Sequence, residues 1–321
     1  MPRTAPAIVR GPFSRTSTAE EAVAGIDLSG KLAVVTGGSG GIGRETARVL
    51  SQAGAHVVIG GRDEQALLTA KRDIAAISMH AHVSEHPLDL VSVPSIRAFA
   101  SAVASLGRAV DILVCNAGVM AVPLEHAPCG IESQLMINCV GHALLTSLLS
   151  PMLRRTAHAR LVYLTSSGHQ LSPLVLDDLN FRNRPYDKWK AYGQSKTACS
   201  LLAVYVAGQM MRKGVTAMAV HPGVIMTALG RSLSDGEREE LAKRLHGDEK
   251  TIQAGAATSV WAATAPELEG QPPAYLEDCA VAEVIDTPNY HSGVMPYALD
   301  ADQATRLWRE MERMLGEPLP L

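Results

Sequence analysis

The chain has 321 residues, 47% of them hydrophobic and 19% charged, with a formal net charge of −3. That balance excludes an intrinsically disordered chain and gives no electrostatic reason to expect nucleic acid or an anionic membrane surface as a partner. Aromatic residues make up only 4%, so a core has to be built from Ala, Val, Leu and Ile.

Residues 1–26 carry Arg3, Arg10 and Arg15 without a following apolar run. They read as a flexible arm and not as a secretory signal. Leu32–Thr36 is an apolar strand, followed by a helix over Glu45–Ala53, a strand at His56–Ile59 and a helix over Glu64–Ala76. A third helix covers Ser95–Leu106, and Asp111–Cys115 is a strand ending in Asn116-Ala117-Gly118. Glu132–Leu153 reads as one long helix, Arg160–Thr165 as a strand, Ala191–Met211 as a helix and Thr216–His221 as a strand. Beyond it, Ser232–Gly247 is charged and helical, Thr251–Ala265 is a helix, Ala274–Leu276 an edge strand and Asp302–Leu315 a terminal helix. Wholly apolar strands alternating with helices predict one doubly wound α/β domain over 27–321, a parallel sheet with helices on both faces. Residues 228–251 would form a substrate lid and 252–321 a C-terminal extension.

Five cysteines are scattered without metal-ligand spacing. That predicts free thiols in a reducing compartment, a cytoplasmic location and no metal; Cys115 and Cys139, inside apolar runs, read as core filler. No apolar stretch reaches the roughly 18 residues of a membrane span.

After the first strand, Thr36-Gly37-Gly38-Ser39-Gly40-Gly41-Ile42-Gly43 runs straight into a helix. A dinucleotide diphosphate needs backbone N–H groups at close range and a helix N-terminus. Glycines allow that approach because they lack Cβ, and the strand–loop–helix context supports the reading. The second strand ends Ile59-Gly60-Gly61-Arg62. No carboxylate stands at 60 or 61 to accept from a ribose 2′-hydroxyl. A guanidinium at Arg62, aided by Arg44, suits a 2′-phosphate, so the expected cofactor is NADP. The plainer reading leaves Arg62 in solvent, with Asp63 capping a helix.

Reducing a carbonyl requires a proton donor and a group that polarises the oxygen. Tyr192-Gly193-Gln194-Ser195-Lys196 puts Tyr192 and Lys196 on one helical face, where an ammonium favours the phenolate form of a neighbouring phenol. Ser166-Ser167-Gly168 follows a strand, which presents hydroxyls at the carboxyl edge of the sheet.

The TGxxxGIG loop and the Ser, Tyr and Lys in this order resemble the short-chain dehydrogenase/reductase family from about Lys31 to Met314. The resemblance implies further roles. Ser167, the second serine, would hydrogen-bond the substrate oxygen, and Asn138 would be a fourth catalytic residue holding a water that links Lys196 to solvent. Asp89 and Leu90 would meet the adenine. Asn116, Ala117 and Gly118 match the family's NNAG element, with Cys115 in place of its first Asn. Pro222, Gly223 and Val224 would bracket the nicotinamide, with Thr227 on its carboxamide or a phosphate. Ser167 and Tyr192 are 25 positions apart, with Asp177-Asp178-Leu179 between them. That gap resembles the branch of the retinol dehydrogenases and light-dependent protochlorophyllide reductases. The missing hydrophobic N-terminal anchor points away from a retinoid.

The expected function is NADP(H)-dependent interconversion of an alcohol and a ketone or aldehyde, by a monomer or homo-oligomer. Reduction of a C=C bond would use the same tyrosine and lysine, and a catalytically silent NADP-binding protein would keep the phosphate loop. His169 and His221 read as structural. Leu229, Leu233, Leu241 and Leu245 would form an apolar lid or pack on the body.

Overall fold

The computed structural model describes residues 9–77, 81–245 and 247–321. Its centre is an eight-stranded sheet in the order β3-β2-β1-β4-β5-β6-β7-β8. The strands are β1 (Leu32–Thr36), β2 (His56–Gly61), β3 (His82–Pro87), β4 (Ile112–Cys115), β5 (Ala159–Leu164), β6 (Val215–Val220), β7 (Tyr275–Glu277) and β8 (Ala280–Val281). All pairings are parallel except β7 with β8.

Every residue of β1, β4, β5 and β6 is buried. That explains the unbroken apolar runs, because such strands have helices on both faces and no side chain needs to meet water. Alternation divides the core cleanly. Leu32 and Val34 pack on one face with α4 (Val93–Ser105), α6 (Gly141–Leu153), α7 (Lys188–Met210) and α10 (Ala301–Leu315). Ala33 and Val35 pack on the other with α2 (Gly41–Gln52), α3 (Glu64–Ala75) and α9 (Ile252–Thr264). The order reverses between β1 and β4, the point where open α/β sheets form a ligand crevice at their carboxyl edge.

Four expectations need correction. The helix expected over 132–153 is interrupted: α5 (Ser133–Leu135) enters a π-helical turn, Met136–Val140, before α6 resumes. Ser133–Leu153 as a whole is also apolar and long enough to cross a bilayer, contrary to the sequence reading, but 83% of its apolar window is buried in the domain. The strand at 275–277 is not the edge, because β8 pairs beyond it.

The fourth concerns the N-terminal arm, whose residues 1–8 lie outside the described residues. The rest is not a free arm. Arg10 bridges Ala280 in antiparallel fashion, and Gly11 N donates to Cys279 O at 2.9 Å. A short helix, α1 (Ala19–Val23), buries Ala19 and Ala22, and Thr18 and Glu21 form its capping box. The sequence signal was small: two alanines at i and i+3 bury little area each, and what holds them is a surface on α9 distant in the chain. Deleting residues 1–26 should therefore uncover Trp261 and the β8 edge and cost about 2 kcal/mol or more. Thermal melting should show a Tm at least ~3 °C lower; an unchanged Tm would show the arm to be energetically idle.

Candidate active site

Two cavities meet at the carboxyl edge of the sheet. One is bordered by Gly37, Ser39, Gly40, Gly41, Ile42, Gly43, Arg62, Asp89, Leu90, Asn116, Ala117, Gly118, Lys196, Pro222, Gly223 and Thr227. The other, of about 950 Å3, is lined by Ser167, Leu171, Trp189, Val224, Met226 and the leucines 229, 233, 241 and 245. Tyr192 borders both.

The first cavity fits a dinucleotide. Helix α2 begins at Gly41, and no side chain caps its first N–H groups, which leaves them for an anion. A Cβ on Gly43 would stand 2.3 Å from Asn116 Nδ2 and 2.4 Å from Gly37 O, so only glycine lets the loop close on the β4 turn. Asn116 Nδ2 donates to Thr36 O at 2.8 Å and ties the two loops together. Cys115 is fully buried at the end of β4, consistent with a packing residue.

Arg62 reaches this cavity and Arg44 does not. Arg44 is paired instead with Asp73, at 2.5 Å. Asp63 Oδ1 accepts from Ala66 N at 2.9 Å and caps α3.

At the junction, the Lys196 ammonium is buried and donates to Leu164 O at 3.0 Å. It lies 5.8 Å from the centre of the Tyr192 ring. Gly168 explains how the ring gets so close to the strand end, since a Cβ there would stand 2.6 Å from Tyr192 Cε1. Ser166 Oγ accepts from Gly168 N at 3.0 Å and caps the turn. The Ser167 hydroxyl, facing the larger cavity, has no intrachain partner among the described residues, and neither does the Tyr192 hydroxyl.

Asn138 sits in the π turn, 2% exposed, with both amide atoms hydrogen-bonded. Oδ1 accepts from Val119 N at 2.8 Å, while Nδ2 donates to Val119 O at 3.0 Å and Ser195 Oγ at 2.8 Å. The side chain braces α7 against the loop after β4.

Several lining residues escaped the sequence reading. Trp189 stands one turn before Tyr192, a spacing that could have revealed it. Asn289, Tyr290 and His291 form a second wall of the larger cavity. They are held by buried Gln170, whose Oε1 accepts from the N–H groups of Asn289 (2.9 Å) and Tyr290 (2.7 Å). No local pattern announces a contact spanning some 120 positions.

His169 and His221 are structural, as expected. His169 Nδ1 donates to Ser166 O at 2.7 Å and Nε2 accepts from Met295 N at 3.1 Å; burial pushes its pKa down to about 4. His221 Nδ1 accepts from Ser167 N at 3.3 Å and Gly223 N at 3.4 Å, and burial, reinforced by Lys250, pushes it down to about 3.

This arrangement defines a dinucleotide-dependent oxidoreductase fold, and comparison gives its family. Residues 31–238 match the short chain dehydrogenase family. The chain is 39% identical over 294 residues to a probable oxidoreductase of Streptomyces lividans, covering 88% of this chain and 97% of that one. It is 35% identical over 300 residues to human retinol dehydrogenase 13, covering 91% and 87% respectively. Among solved structures, an uncharacterised Mycobacterium paratuberculosis protein superposes with a TM-score of 0.72 at 29% identity, covering 95% of this chain and all of that one. The Pseudomonas aeruginosa RhlG/NADP active-site complex superposes with a TM-score of 0.61 at 25% identity over 79% of this chain and 97% of that one. The chain belongs to the short-chain dehydrogenase/reductase family, and is similar to its retinol dehydrogenase-like branch.

A neutral buried histidine makes stability depend on pH with a definite sign. The folded pKa of His221 lies far below the usual 6.5, so between about pH 6.5 and 3 the unfolded chain binds the proton and the folded one does not. Stability falls as pH falls through that window. His221→Asn keeps an acceptor near the Nδ1 position and removes the titration. Melting curves from pH 7 to 4.5 should show a shallower acid loss for the variant; parallel curves would mean that His221 is not held neutral.

Proposed function

We propose that this protein interconverts an alcohol and an aldehyde or ketone with NADP(H), with Tyr192 as general acid in reduction and general base in oxidation. The reading is carried by one observation: the unpartnered Tyr192 hydroxyl stands where the two cavities meet, with Ser167 on one side and Lys196 on the other. When bound, the dinucleotide supplies or receives the hydride. Tyr192 gives its proton to the oxygen as alkoxide charge develops. Ser167 donates to the same oxygen and fixes its direction. Lys196, fixed by Leu164 O, keeps a positive charge beside the phenol and faces the nicotinamide ribose. Asn138 acts through Ser195 and Val119 as a positioning residue.

The free Ser167 hydroxyl favours C=O over C=C as the reacting bond, because an alkene offers it no acceptor. Ser167 and Tyr192 hydroxyls left free at a cavity also serve no purpose in a silent binding protein. The leucine-lined wall suits a moderately apolar substrate and keeps water from the reacting oxygen. The five free cysteines support a cytoplasmic location.

Tyr192→Phe removes only the hydroxyl. Turnover should fall at least ~100-fold with NADPH affinity little changed, measured by steady-state kinetics and fluorescence titration. Near-normal turnover would overturn the mechanism.

The NADP preference is assigned to Arg62, which borders the first cavity where Arg44 does not. Arg62→Ala should weaken NADPH binding about ten- to a hundred-fold, the loss of a charged hydrogen bond of roughly 1.5–3 kcal/mol. NADH binding should change little. Equal losses for both cofactors would make Arg62 a structural residue.

A further inference from the structure

Besides Arg62 and Lys196, the first cavity is bordered by a cation that belongs to none of the motifs. Arg231 lies in the 3-10 turn Ala228–Ser232 and borders both cavities. The turn is set directly over the phosphate loop: a Cβ on Gly41 would stand 3.5 Å from Thr227 Cγ2. Thr227 Oγ1 accepts from Leu229 N at 3.3 Å and holds the start of the turn. Arg231 is exposed, and its guanidinium has one weak contact within the chain, Nη1 to Ala228 O at 3.4 Å. No carboxylate pairs with it among the described residues. Arg44 and Arg48 nearby are both taken up by acids.

We propose that Arg231 binds the nicotinamide-side phosphate of the dinucleotide and thereby fastens the segment 228–245 over the substrate cavity. The inference rests on the reading that the first cavity holds a dinucleotide. The diphosphate lies between the adenine and nicotinamide ends of the molecule. The phosphate loop supplies it with backbone donors, and a guanidinium above the loop adds a charge-assisted pair from the opposite side. Arg231 borders the substrate cavity as well, which places it towards the nicotinamide end.

Fastening follows from how the turn is tied to the lid helix, α8 (Asp235–Arg244). Arg238 Nη2 donates to Arg231 O at 3.3 Å and Arg238 Nε to Leu233 O at 3.1 Å, so turn and helix form one unit. Beside Arg238, in the first turn of α8, Glu237 pairs with Lys188 at 2.5 Å. Lys188 opens α7 one turn before Tyr192. The lid is thus tied to the catalytic helix by one ion pair, and the phosphate supplies a second anchor. Leu233, Leu241 and Leu245, which line the cavity, are then held in place as its roof.

The test is Arg231→Gln, which keeps length and polarity and removes the charge. Two probes are titrated by fluorescence: NADPH, and adenosine 2′,5′-bisphosphate, which lacks the nicotinamide-side phosphate. The variant should bind NADPH about ten- to a hundred-fold more weakly and the bisphosphate as the wild type does. Arg231→Lys should recover part of the loss. Hydrogen exchange over 228–245 should slow on NADPH addition in the wild type and not in Arg231→Gln. An unchanged NADPH Kd overturns the proposal, also if KM rises for carboxylate-bearing carbonyl substrates, which would assign Arg231 to the substrate. Equal weakening of both probes overturns it too, by making Arg231 a support for the whole site. If the wild type binds neither probe, the parent reading fails instead.

Discussion

A buried ammonium dictates the working end of this domain. Lys196 is 5% exposed, and a charge taken that far from water is tolerated only with partners. The Leu164 carbonyl meets part of the need, which requires α7 to lie against the end of β5. Thr165 Oγ1 donates to Lys196 O at 2.8 Å and fixes the same contact from the helix side. Once α7 is held there, Tyr192 is brought to the strand end and Gly168 becomes obligatory beneath its ring. The remaining open side of the ammonium faces the first cavity.

A second network joins that helix to the phosphate loop through groups that touch neither ligand. His142 Nδ1 donates to Asn138 O at 2.9 Å, and its Nε2 lies 2.9 Å from Thr36 Oγ1. Since the carbonyl can only accept, Nδ1 carries the proton and Nε2 accepts from the threonine. Thr36 Oγ1 in turn accepts from Asn116 N at 2.9 Å and Ala117 N at 3.0 Å. Burial, aided by Lys196, pushes His142 down to about 4, so the ring stays neutral and the donor pattern is fixed. The end of β1, the loop after β4 and the π turn are therefore joined by one hydrogen-bonded chain. The π turn is what aims Asn138 at both Val119 and Ser195, in keeping with the concentration of such turns at functional sites.

Much of this was legible in the sequence because the signals are local and repeated. A strand buried on both faces must be apolar throughout, and a helix opening on glycines leaves its amides bare. The phosphate loop, Ser167, Tyr192 and Lys196 were readable for that reason, as was the absence of an acid at the end of β2. The four lid leucines were readable as a group by their helical spacing, although only the folded chain places all four on the cavity.

What the tertiary structure alone decided involves partners far apart in the chain, where sequence spacing carries no information. It paired Arg44 with Asp73 and engaged the Asn138 amide with Val119 and Ser195. It folded residues 9–26 onto α9 and the β8 edge, and it hung the wall at 289–291 from Gln170. A side chain's type tells what it can bond. Which of several competing partners it meets depends on packing, because a buried donor or acceptor takes the partner that the surrounding core brings within about 3 Å.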